Sequence, residues 1–379
     1  MKTNSEKTIR ENTGGKYFLV GVVMFFVGAL SLYAVMYFFP APFVKTITEE
    51  TRNVNITDTG IADAVEKIYD AVVVVKTYKS QQLYATGTGF VYKRDDNRAY
   101  ILTNNHVIES GDAIYVEFTD GREIETSVEG KDTYSDIAVL SLDADEVSVV
   151  AEMGSSEDAR VGDTVFTVGA PINSDAYSGT VTRGILSGKN RLVGVSTQNS
   201  NVSDIMMSVL QTDAAINSGN SGGPLVNANG EVIGITSLKL SSSGLSSNAS
   251  IEGMGFAIPI ETALSYAEKL ERGETIERPS LGITMSNLAA AMSYYYPALN
   301  NIGVDSGVYV ESVTDGSPAA DGGIKTGDVI TAVDDKEITD LAYLRYLLYN
   351  HSVGDTMKVT VYRDGDYKDL TIHLDQKAS

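Results

Sequence analysis

Residues 219–237 read Gly-Asn-Ser-Gly-Gly-Pro-Leu-Val-Asn-Ala-Asn-Gly-Glu-Val-Ile-Gly-Ile-Thr-Ser. The first seven set one hydroxyl, that of Ser221, among glycines. A serine nucleophile needs an exposed oxygen and a backbone able to turn N–H groups toward a developing oxyanion. Glycine permits both because it lacks a Cβ. The string also satisfies G-x-S-x-G, the nucleophile elbow, in which a strand turns directly into a helix. No helix signal follows Ser221. Two β-rich runs flank Asn227-Ala-Asn-Gly230 instead, which is a hairpin signature. The segment therefore reads as part of an all-β protein.

A serine is a weak nucleophile without a base, and the base is usually histidine. The chain has three histidines, His106, His351 and His373. The first ends the run Tyr100-Ile-Leu-Thr-Asn-Asn-His106, where an apolar strand gives way to polar residues. Asp136 stands at the mouth of a second apolar strand, Ile137-Ala-Val-Leu140. Such a carboxylate can accept the Nδ1–H of a histidine, fixing its tautomer. The order His106, Asp136, Ser221 is that of chymotrypsin-type enzymes. From Val72 to about Ser237 one β-run follows another, separated by Gly, Asp and Asn turns such as Asp120-Gly and Asn229-Gly. That spacing indicates an all-β sandwich or pair of barrels.

Thr103-Asn-Asn-His106-Val, Ser135-Asp136-Ile-Ala-Val-Leu140, Gln211-Thr-Asp-Ala-Ala-Ile-Asn217, the Ser221 heptapeptide and Gly255-Phe-Ala-Ile-Pro259 together resemble the HtrA/DegP family of serine endoproteases. The resemblance runs over roughly residues 61–375. It implies a mainly β fold: a chymotrypsin-like double β-barrel protease domain over 61–272, then a small α+β PDZ domain over 279–375. It further implies endoproteolysis of unfolded or misfolded polypeptides in protein quality control, without metal or organic cofactor. Ser221 would be the nucleophile, His106 the base, and Asp136 the group that orients it. The N–H groups of Gly219 and Ser221 would form the oxyanion hole. Ala215, six residues before the nucleophile, would floor the specificity pocket with Ile216 beside it. No acid stands at 215, so small or medium apolar side chains are expected before the scissile bond. Homotrimers are a further implication. A chaperone-like or purely peptide-binding protein on a membrane tether is the alternative, against which the complete triad argues.

Ser280-Leu281-Gly282-Ile283 resembles the carboxylate-binding loop of PDZ domains, and Gly307-Val-Tyr-Val310, Ser317-Pro-Ala-Ala320 and Gly327-Asp-Val-Ile-Thr-Ala-Val333 fit the same fold. A chain terminus needs successive backbone N–H donors, and an adjoining edge strand lets a peptide add as a β-strand. Leu281, Gly282 and Ile283 are therefore the expected peptide contacts, with Leu341 to Tyr349 as the helix beside the groove. His351 and His373 read as structural or exposed.

The chain has 379 residues, long enough for two domains with appendages. Without cysteine it has no disulfide, thiol chemistry or Cys-bound metal, and three scattered histidines do not suggest a zinc site. A net charge of −21 argues against nucleic-acid partners, which require clustered Lys and Arg. Tyr17 to Phe39 contains no charged residue. As a helix it would span roughly 35 Å, enough to cross a bilayer core. It is too long for the apolar region of a cleaved signal. Lys2, Lys7, Arg10 and Lys16 precede it, which predicts a cytoplasmic segment 1–16, a transmembrane helix 17–39 and extracytoplasmic domains beyond a 40–60 tether. Ser241 to Ser250 is a low-complexity loop. Glu261 to Arg272 has helical periodicity, and 273–279 reads as a short linker.

Overall fold

The computed structural model describes residues 13–38, 58–169, 179–195, 205–237, 253–295 and 303–378. Most of the expected tether and the serine-rich loop at 241–250 lie outside them. The chain divides into two units, Met1–Asn55 and Ile56–Ser379. In the first, helix α1 (Thr13–Phe38) carries the apolar run, and no residue of its Tyr17–Val35 stretch is buried. By length and composition that stretch is able to cross a membrane.

The second unit opens with helix α2 (Asp58–Tyr69) and two seven-stranded sheets. The first sheet contains β1 (Val72–Lys79), β2 (Gln82–Arg94), β3 (Arg98–Thr103), β4 (Ala113–Glu117), β5 (Glu123–Glu125), β6 (Ser127–Asp132) and β7 (Ile137–Asp143). Their order is β5-β4-β1-β2-β3-β7-β6, antiparallel throughout. The second contains β8 (Glu152–Met153), β9 (Thr164–Gly169), β10 (Thr180–Val195), β11 (Ile205–Thr212), β12 (Pro224–Asn227), β13 (Glu231–Thr236) and β14 (Gly255–Pro259). It runs β12-β9-β10-β11-β14-β13-β8, and an additional β12–β13 pairing closes six strands into a ring. The Asn229-Gly230 turn does form the expected hairpin, with Gly230 at φ 83°.

Side chains alternate across a strand, so apolar runs can serve two cores at once. In β7, Ala138 and Leu140 pack with Val73, Val75 and Ile101 inside the first sheet. Ile137 and Val139 point the other way and join Phe90, Leu102, Phe166 and Val168 in a core shared by both sheets. Each such full burial contributes about 1.5–3 kcal/mol. The second sheet has its own interior of Val165, Leu186, Leu210, Leu225 and Ile233. Helix α2 and helix α4 (Ile260–Leu270) close the shared core with Ile68, Ala263, Ala267 and Leu270. Because the two sheets press their faces together, loops from each meet at one seam.

A third, six-stranded sheet follows: β15 (Ile283–Asn287), β16 (Val308–Val313), β17 (Val329–Val333), β18 (Lys336–Glu337), β19 (Thr356–Arg363) and β20 (Asp366–His373). Helix α5 (Leu341–Leu348) starts where the Asp340 carboxylate accepts the Tyr343 N–H at 2.9 Å, an N-cap. Its Leu344 and Leu347 pack with Val308, Val310, Val359 and Val361.

Residues 273–279 are more than a linker. Arg278 is 8% exposed and donates two bonds, 2.7 and 2.8 Å, to the Asp132 carboxylate at the end of β6. Its guanidinium lies over the rings of Tyr134, Tyr266 and Tyr349, and Tyr134 meets Tyr349 edge-on. These contacts fasten the third sheet's helix α5 to the first two sheets.

Candidate active site

Strand β3 ends at Thr103, and a single turn of helix, α3 (Asn105–Ile108), carries His106. Asn104 occupies the N-cap position without capping the helix. Its Nδ2 instead donates to the Asp136 carbonyl at 2.9 Å, and the Asn105 N–H donates to the same oxygen at 3.1 Å. These bonds hold Asp136 in a left-handed conformation, φ 56°, that costs a non-glycine residue about 1–3 kcal/mol. The strained turn aims the carboxylate at the start of α3.

That carboxylate is 2% exposed and faces three donors. The His106 N–H reaches Oδ1 at 3.0 Å, His106 Nδ1 lies 2.8 Å from Oδ2, and Ser237 Oγ donates to Oδ2 at 3.1 Å. With Nδ1 facing a carboxylate, the ring is protonated there and Nε2 is the acceptor nitrogen. His106 is half-buried.

Ser221 arrives at the same seam from the loop between β11 and β12. A Cβ on Gly222, at φ 85°, would sit 2.2 Å from the Thr88 carbonyl and 2.9 Å from the Asn104 N. A Cβ on Gly87 would meet both γ-carbons of Val107 at 2.7 Å and the Ser221 carbonyl at 3.1 Å. The glycines thus let the serine loop close onto the β3–α3 junction. Gly219 is buried at φ 102°, and its N–H has no acceptor among the described residues.

Ala215 is exposed, and its carbonyl accepts Thr182 Oγ1 at 2.8 Å and Asn220 Nδ2 at 3.3 Å. Ile216 is half-buried and abuts Gly255. Asp213, eight residues before Ser221, accepts the Ile185 N–H at 2.6 Å. In the third sheet Leu281 is 2% exposed, so its side chain is core and only its backbone remains to meet a ligand. Gly282 stands at φ 70° where a Cβ would lie 2.4 Å from Ser317 Cβ, and its N–H already reaches Ser280 Oγ at 3.2 Å. Ile283 opens β15 opposite Val313. His351 pairs with Asp334 and His373 with Thr356, both within the third sheet's domain. Among the described residues no group of acidic, His or Cys side chains is arranged to hold a metal.

Sequence reading misses Asn104, Ser237 and Thr88. Each is a buried polar residue at a strand end or within a strand, where alternation alone suggests an ordinary turn or a half-exposed position. The role of Asn104 appears once β3 pairs with β7, and those of Ser237 and Thr88 only once the two sheets are apposed.

A profile of the trypsin-like peptidase domain matches residues 87–235, and one of the PDZ domain matches 279–374. The serine protease Do-like HtrA of Lactobacillus helveticus is 42% identical over 295 residues, covering 78% of this chain and 69% of that protein. Its counterpart in Bacillus subtilis is 38% identical over 337 residues, covering 84% and 73%. Among solved structures, a serine endoprotease from Yersinia pestis aligns with a TM-score of 0.61 at 32% identity, over 84% of this chain and 98% of that one. The HtrA-type protease AlgW with tripeptide aligns at 0.59 and 31%, over 83% and 96%. Likeness of this extent, running through the Ser221 loop and on into the third sheet, means that the chain belongs to the HtrA family of serine proteases and is a serine endopeptidase acting on polypeptides.

Proposed function

We propose that the protein cleaves unfolded polypeptides outside the cytoplasm through a Ser221 acyl-enzyme, as a protease of protein quality control. His106 Nε2 takes the Ser221 proton as the hydroxyl attacks the scissile carbonyl, then returns it to the leaving amine. Asp136 holds the ring and stabilises the imidazolium. The Gly219 and Ser221 N–H groups receive the oxyanion. The observation that carries this reading is the double grip of Asp136 on His106, through its backbone N–H and its Nδ1. Ser221→Ala and His106→Ala should each lower kcat by roughly 10⁴–10⁶, with little further loss in the double variant. Casein cleavage near the wild-type rate by either variant would end the assignment.

Ala215 and Ile216 bring no charge to the pocket, which favours Val, Ala or Ile before the scissile bond over Arg. The protease domain is assigned to 61–272 and the PDZ domain to 279–375, with Leu281, Gly282 and Ile283 presenting backbone donors to peptide C-termini. Helix α1 anchors the protein in the membrane, N-terminus in the cytoplasm, as the basic flank before it favours. Homotrimer assembly accompanies the family reading. Mass spectrometry of digest products tests the pocket: dominant cleavage after Lys or Arg would refute it.

A further inference from the structure

Three successive carbonyls of the serine loop are held from below. Gly219 O accepts Thr88 Oγ1 at 2.6 Å, Asn220 O accepts Thr236 Oγ1 at 2.7 Å and the Gly223 N–H at 2.9 Å, and Ser221 O accepts the Thr88 N–H at 2.9 Å. Thr88 therefore grips the loop at two points, on either side of Asn220. It belongs to β2, in the first sheet, whereas the loop connects strands of the second. Thr88 is 1% exposed, and its own carbonyl accepts Thr103 Oγ1 at 2.8 Å, one strand from His106. Its hydroxyl ties the serine loop directly to the sheet that carries the histidine and the aspartate.

Gly219 is the residue that most needs such a tie. At φ 102° it lies where glycine moves easily between backbone orientations. If its peptide planes turn, its N–H no longer faces the reacting carbonyl. The Asn220 carbonyl has two donors, so losing Thr236 Oγ1 leaves the Gly223 N–H in place. The Gly219 carbonyl has the Thr88 hydroxyl alone among the described residues.

We propose that Thr88 is a positioning residue for the oxyanion hole: its hydroxyl fixes the Gly219–Asn220 peptide, restricting rotation about the Gly219 Cα so that the Gly219 N–H is preorganised for the transition state. This rests on the reading of Ser221 as nucleophile with Gly219 as a donor. Removing an oxyanion donor outright costs about 10²–10³ in rate. Loosening one donor should cost less, about 10- to 100-fold.

The test uses the full chain in detergent micelles with a fluorogenic peptide bearing Val before the scissile bond. Thr88→Val keeps the shape and the γ-methyl that packs near Gly223 but removes the hydroxyl. It should lower kcat by about 10- to 100-fold with KM within twofold, and weaken a peptide boronate by a similar factor. Thr88→Ser should restore kcat to within about threefold of wild type. Thr236→Val, where a second donor remains, should lose no more than about threefold. A merely structural role predicts otherwise: KM rising with the fall in kcat, no rescue by serine, or equal losses at Thr236. Any of these overturns the proposal, as does a kcat for Thr88→Val within twofold of wild type. Labelling by a fluorophosphonate separates the two layers. If wild type is not labelled at Ser221, the nucleophile assignment fails and takes this proposal with it; if it is, the Thr88 variants decide alone.

Discussion

Asp136 occupies an unfavourable backbone region while its carboxylate faces three donors, so its side chain is chosen for acceptance at both oxygens. Asp136→Asn keeps the shape but can offer only one acceptor. If the amide oxygen stays with the His106 N–H, its NH₂ faces Nδ1, and the ring must protonate at Nε2 instead. That nitrogen then cannot take the serine proton. The variant should fold with nearly unchanged thermal stability and lose roughly 10⁴ in kcat. A loss below tenfold in peptide hydrolysis would show that the carboxylate is not needed to set the tautomer. Gly222→Ala differs in kind. It forces a Cβ to 2.2 Å from a strand carbonyl at positive φ, so activity and stability should fall together. Urea unfolding should show a deficit of about 2 kcal/mol or more; a stable but inactive protein would contradict the steric account.

At the scale of elements, the segment joining α4 to β15 shows what sequence reading reaches and where it stops. The Asn229-Gly230 hairpin is legible because its residues accept positive φ at low cost. The β1–β2 turn is not, since Ser80 and Gln81 adopt φ 51° and 64° without a glycine to announce them. The triad is legible because each member sits in a distinctive motif. Thr88 and Ser237 are not, because their partners lie in the apposed sheet. Residues 273–279 look like a linker because the partner of Arg278 is Asp132, far away in sequence. Burial works against charge on Asp132, but the Arg278 guanidinium and the Ser135 donors outweigh it and hold the carboxyl below its ordinary range. Removing Arg278 leaves a buried carboxylate without its counter-charge, which costs about 3–5 kcal/mol. Arg278→Met should therefore be strongly destabilising, and Asp132→Asn added to it should recover much of the loss. Additive losses in that double-mutant cycle would show that the pair is not coupled. The pH dependence has a definite sign. A depressed carboxylate stabilises above its unfolded value of about 3.9 and loses that contribution as pH falls through its folded value. The joint should thus resist protease between pH 5 and 8 and loosen only below about pH 4, an acid limb absent from the double variant.

For the whole molecule, α1 and the enzymatic unit are separate bodies, and the anchoring proposal is tested by access. Protease added to intact cells should reach the domains beyond α1, while a tag before Lys2 stays protected; the opposite pattern would reverse the orientation. The relation between protease and PDZ domain can be dissected by where the chain is cut. The His106, Asp136 and Ser221 segments are complete before residue 273, so loss of the PDZ domain alone should spare hydrolysis of short peptides. The Arg278 joint adds a condition. A chain ending at Glu277 lacks the guanidinium and strands Asp132, whose carboxylate also accepts the Ser135 N–H and Oγ next to Asp136. A chain ending at Ser280 keeps Arg278 over Tyr134 and Tyr266, losing Tyr349 and the Ala378 N–H that its carbonyl accepts at 2.7 Å. The longer fragment should hydrolyse a short apolar peptide within several-fold of the full chain, and the shorter one should be less stable and slower. Both should lose any preference for substrates with a free C-terminus, because the Leu281-Gly282-Ile283 backbone that would receive the carboxylate is gone. In the full chain, amidating the substrate's terminus should mimic that loss. Equal stability and rate in the two fragments would mean that Asp132 does not transmit the joint to the catalytic turn. A retained preference for free termini in either fragment would place terminus recognition in the protease domain instead.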